Sequence, residues 1–99
     1  MIGLTEFSRT GAISSLAAID VSNVATSHSI TAGKSGVSFQ NVGSKHVWYG
    51  GANVDPANYI GHKLTSLMSV VFKEVKEDFK IYFVTAGTDT SKIGVIEHT

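Results

Sequence analysis

Four histidines, eight carboxylates and a small aromatic set are the residues of this 99-residue chain with chemistry to offer. The histidines are His28, His46, His62 and His98. A zinc site needs three or four ligands converging on one point. No two of these histidines stand at helical i,i+4 spacing, and there is no HExxH, so they read as surface or interface groups and no metal site is expected. His46 and His62 can meet only if their strands lie side by side. Glycoside hydrolysis needs two carboxylates facing each other across a cleft. Asp20, Asp55 and Asp89 sit beside turn formers instead, where Asp caps the backbone, and Glu74, Glu77 and Asp78 belong to one mixed-charge run. None of the 12 serines lies in a G-x-S-x-G elbow. Gly33-Lys34-Ser35-Gly36 ends like a phosphate loop, but the full pattern needs a glycine five residues before Gly33, where His28 stands. These residues therefore predict no catalytic constellation and no cofactor.

His46, Trp48, Tyr49 and Tyr59 form the most suggestive group. Trp and Tyr bury large area at low entropic cost, which enriches them at interfaces and binding faces. In an extended strand Trp48 and Tyr49 must point to opposite faces, so one of them is expected in the core and only the other at the surface.

The elements that must position these residues are strands. Apolar residues make up 42% of the chain and charged residues only 16%, against about 25% charged in an average soluble domain. Ser, Thr and Gly fill the difference, which excludes disorder and coiled coil. Eight basic residues balance eight acidic ones, and the only Arg is Arg9, so nucleic-acid binding is not expected. Low charge with zero net charge favours life in an assembly. There is no Cys, which removes disulfides and thiolate chemistry and fits a reducing cytoplasm. No apolar run reaches the roughly 18 residues of a membrane span, and the N-terminus lacks the pattern of a signal peptide.

Residues 1–11 show no clean period. They are read as an N-terminal arm, with Ile2, Leu4, Phe7 and Arg9 as docking residues. Residues 12–99 are read as a single β-sandwich domain. Strands are expected near 15–21 and 26–31. Val37 to Val42 alternates, with Val37, Phe39 and Asn41 on one face. Gly43-Ser44 turns the chain into Lys45–Gly50, which predicts a hairpin. Residues 52–62 hold the only Pro, Pro56, and read as a loop, with Gly61 at a positive φ. Leu64–Phe72 reads as one buried strand, 73–78 as a solvated loop, and Phe79–Val84 and Lys92–Glu97 as the last strands. About seven short strands at 8–12-residue spacing predict an all-β protein, a small antiparallel β-sandwich of jelly-roll-like form.

The segment Val37 to Gly51, VSFQNVGSKHVWYGG, resembles a group of small tailed-phage virion proteins. Their middle has a strand ending in Q-N-x-G, a short turn, and an aromatic strand ending in Gly. Here these are Phe39-Gln40-Asn41-Val42-Gly43 and Val47-Trp48-Tyr49-Gly50. The resemblance continues through Gly61, Val70-Val71-Phe72, Lys80-Ile81-Tyr82, Ala86-Gly87-Thr88 and Gly94-Val95-Ile96-Glu97, and upstream to Val21–Ser27. One departure is Leu64-Thr65-Ser66-Leu67, which stands where the group has a Pro- and Gly-containing turn.

The resemblance implies a non-enzymatic bacteriophage structural protein located in the virion and assembled in the host cytoplasm. Its expected role is capsid decoration or cement, bound to the major capsid protein as a homo-oligomer with a trimer favoured. A tail or head–tail accessory is the alternative, as is a carbohydrate- or receptor-binding module using Trp48 or Tyr49 with Tyr59. Ile2, Leu4, Phe7, Arg9, His46, Trp48, Tyr49 and Tyr59 are the expected interface residues.

Overall fold

The computed structural model describes residues 12–99. Eight strands follow in order: β1 Ile13–Val21, β2 Thr26–Ile30, β3 Gly36–Asn41, β4 Val47–Gly50, β5 His62–Leu64, β6 Ser69–Lys73, β7 Phe79–Val84 and β8 Ser91–His98. A 3₁₀ turn at Pro56–Asn58 interrupts the loop between β4 and β5. One sheet has the order β1-β8-β3-β6 and the other β2-β7-β4-β5. All pairings are antiparallel. Strands 1 and 8, 2 and 7, 3 and 6, and 4 and 5 pair as one nested ribbon. Winding that ribbon adds the β3–β8 and β4–β7 contacts. The result is a jelly roll, the all-β sandwich expected of the composition.

Two expectations need correction. The stretch from Val37 to Gly50 is not a hairpin, because β3 and β4 lie in different sheets. Alternation identifies a strand but not its partner, and both neighbours of β3 come from far along the chain. Residues 64–72 are not one strand either. The chain breaks at Leu67, whose φ is 69°, and Met68 N–H donates to the Thr65 carbonyl at 3.0 Å. Leu67 and Met68 are exposed there rather than buried. The expected strand is thus β5 and β6, one in each sheet.

The core is built by alternation. Val37 and Phe39 from β3, Ile81 and Phe83 from β7, and Ile93 and Val95 from β8 are all buried. The Phe39 and Phe83 rings meet between the sheets at 5.3 Å. Val75 is buried inside the charged 74–78 loop and anchors it. Its N–H donates to the Lys34 carbonyl, and its own carbonyl accepts from Gly33.

Asn41 joins the two sheets at one end of the sandwich. It is fully buried at the end of β3. Its Nδ2 donates to the Lys45 carbonyl at 2.7 Å and the Leu64 carbonyl at 2.9 Å. Its Oδ1 accepts from Gly43 N–H at 3.1 Å and from the Ser91 hydroxyl at 2.7 Å. Both polar atoms of the amide are doubly used, so a polar group can sit in the core without a desolvation penalty. Gly43 is needed for closeness. A Cβ there would lie 2.0 Å from Ser91 Oγ and 2.9 Å from the Lys92 backbone nitrogen.

Candidate functional site: two contrasting outer faces

Register and burial place the expected site residues. Phe83 is buried, and Tyr49 is its cross-strand partner, so Tyr49 faces inward and packs against the core. Its ring lies 5.8 Å from that of His62. Trp48 therefore faces outward, opposite Lys63 on β5 and Val84 on β7. Tyr59 joins it, the two ring centroids 6.2 Å apart. His46 precedes β4 and is exposed, while His62 lies opposite Tyr49. Ile2, Leu4, Phe7 and Arg9 lie outside the described residues.

Tyr59 is held by a built loop. Asp55 caps the 3₁₀ turn, its Oδ1 accepting from Ala57 N–H at 3.1 Å and its Oδ2 from the Asn58 amide at 2.7 Å. Asp55 and Ile60 exchange two backbone hydrogen bonds, both 2.9 Å. Between them Tyr59 takes φ 58°, a left-handed conformation that bulky residues rarely adopt. Tyr59 is 82% exposed, so burial does not compensate the strain. Gly61 closes the loop at φ 112°, where a Cβ would lie 2.8 Å from the Tyr49 carbonyl oxygen. The positive φ expected at Gly61 is present. Val54 is largely buried over Gly50, which brings the loop down onto the sheet's outer side.

The outer face of the β1-β8-β3-β6 sheet is different in kind. Its central cross-strand row runs Ser15, Ile96, Ser38, Val71, and the next includes Gly94, Gln40 and Ser69. These side chains are small or uncharged, and they border an open depression of about 390 Å³. Charge appears only at the margins. Lys92 and Asp20 pair at 2.6 Å at one end, and Lys73 lies at the other. Exposed Val42, Leu67 and Met68 rim the same face, Gln40 Nε2 donating to the Leu67 carbonyl at 3.1 Å.

The remaining polar groups are structural ties. Asp55 caps as expected, and Asp78 Oδ1 accepts from Ala32 N–H at 2.8 Å. Asp20 is not a turn cap, since it lies in β1 and pairs with Lys92. The Ser35 hydroxyl lies 2.6 Å from His98 Nδ1 and 3.0 Å from the His98 carbonyl. This pair, 63 residues apart, had no local signal in the sequence. It has the spacing of a nucleophile and base, while Glu97, the next residue back along β8, faces the opposite way. Glu97 instead holds Lys34 at 3.3 Å, with His28 Nε2 3.7 Å away. The Ser35–His98 contact latches the β2–β3 loop to the end of β8. Among the described residues no three His, Asp or Glu side chains gather to hold a metal.

Comparison with known proteins finds no matching family model, no matching curated protein and no matching solved structure.

Proposed function

We propose that the protein is a non-enzymatic bacteriophage structural protein. It decorates the outer capsid surface as a homo-oligomer, a trimer being the favoured state, and stabilises the head. The observation that carries this reading is the uncharged, shallowly concave outer face of the β1-β8-β3-β6 sheet, rimmed by Val42, Leu67 and Met68. Such a face desolvates without stranding a charge. Four strands at about 4.8 Å spacing make it roughly 19 Å wide. With about six residues per strand at roughly 3.4 Å each, its area is about 400 Å², small against the roughly 800 Å² per partner of a stable complex, which is why several linked copies should hold better than one. The jelly-roll order, an architecture used by viral capsid domains among others, and the likeness of Val37–Gly51 to tailed-phage virion proteins support the same reading.

The test is rebinding. Particles stripped of the protein should take it up to saturation and resist heating better once loaded. Failure of the folded protein to bind such particles would remove the capsid role.

A further inference from the structure

We propose that the outer face of the β2-β7-β4-β5 sheet, centred on Trp48, Tyr59 and Lys63, binds an anionic glycan built of carboxylated hexoses. The site is independent of the docking face proposed above, which lies on the opposite side of the sandwich.

Three observations converge. First, the two aromatic rings lie next to each other on the outer side of this sheet, 6.2 Å apart and inclined at 57°. A pyranose has an apolar C–H face and a polar rim, and aromatic rings cover the first while leaving the second wet. Second, Tyr59 combines a left-handed backbone with high exposure. The Asp55 cap and the Asp55–Ile60 bridge hold it there. An exposed bulky residue kept at a strained φ marks a presented side chain. Third, the four strands of this sheet carry two ionic side chains of fixed charge, Lys63 and Lys80, and no acid. Lys63 stands directly across from Trp48, and Lys80 is two residues from Tyr82 on the outward side of β7. The one acid in the loop, Asp55, keeps its charge but directs both carboxylate oxygens at Ala57 and Asn58.

Charge selects the ligand class. Lys63 beside Trp48, and Lys80 four residues along β7 from Val84, the partner of Trp48, or about 13 Å away, match an extended ligand that carries carboxylates along its length. A nucleic-acid strand presents a denser row of phosphates, and affinity for it grows with the number neutralised. Two lysines on a chain of zero net charge are too few.

The experiment titrates the full chain with tetragalacturonate at physiological salt, following the Trp48 indole and Tyr59 ring resonances. Its methyl ester and an oligo-dT of similar length serve as competitors in class. Saturable shifts at both rings are expected, with affinity falling about tenfold on esterification or in Lys63→Gln. Tyr59→Ala, at an exposed position, should lose a similar factor while keeping the fold, so the result does not rest on Trp48→Ala folding. Ser38→Arg on the opposite face should bind as the parent does. Absence of saturable shifts, equal binding of the ester, or tighter binding of oligo-dT would each overturn the proposal.

Discussion

The two sheets of this jelly roll share one core and present opposite characters to their surroundings. The outer face of β1-β8-β3-β6 is small, shallowly concave and uncharged at its centre, with the Lys92–Asp20 ion pair at its margin. The outer face of β2-β7-β4-β5 carries Trp48, Tyr82, Lys63 and Lys80, with a capped loop folded across it. The first suits a broad protein surface, because its centre holds hydroxyls, an amide and aliphatic groups but no charge to desolvate. The second suits a ligand with both an apolar face and a charge. The core cannot produce this difference, since both sheets bury the same kinds of Val, Ile and Phe. It arises from the alternate residues that face out, which folding leaves free to differ.

The comparison stands only while the sheets stay joined, so the largest expected effect is at their tie. Asn41→Ala strands the Gly43 N–H, the Ser91 hydroxyl and two carbonyls. Urea unfolding should show a loss of about 3 kcal/mol or more. Gly43→Ala should follow at about 1–3 kcal/mol in the same assay, because the new Cβ meets the Lys92 backbone as well as Ser91.

Changes on the faces themselves should leave stability nearly untouched and separate the two roles. Ser38→Arg puts a charge in the middle of the uncharged face, between Ile96 and Val71. Particle binding should collapse while the unfolding midpoint stays within about 0.5 kcal/mol of the parent. Tyr59→Gly relieves the left-handed strain but frees the unfolded chain, so its net effect should be below about 1 kcal/mol in either direction. Smallest of all, Lys92→Ala breaks a largely exposed ion pair and should cost less than about 0.5 kcal/mol.

Much of this was legible where the signal is local. Val37, Phe39 and Asn41 alternate, and all three face the core. Asn41 also makes one local bond, its Oδ1 accepting from Gly43 N–H two residues on. Its bonds to Leu64 and Ser91 span 23 and 50 residues, and no local pattern announces them. The same limit explains the missed crossover from β3 to β4 and the apolar run that proved to be two strands. Alternation required Trp48 and Tyr49 to face apart, but only the pairing with Phe83 decides which one is inside. The uncharged face was illegible for the same reason, since Ser15, Ser38, Ser69 and Ile96 become neighbours only through register.

Copy number in the particle tests the central claim most directly. Quantitative mass spectrometry of purified particles from the source culture would count this chain against the major capsid protein. A capsid-covering role predicts a ratio of about one, or a simple symmetric fraction of it. A few copies per particle would contradict decoration and move the protein to the tail or neck, and absence from the particle would contradict a virion role altogether.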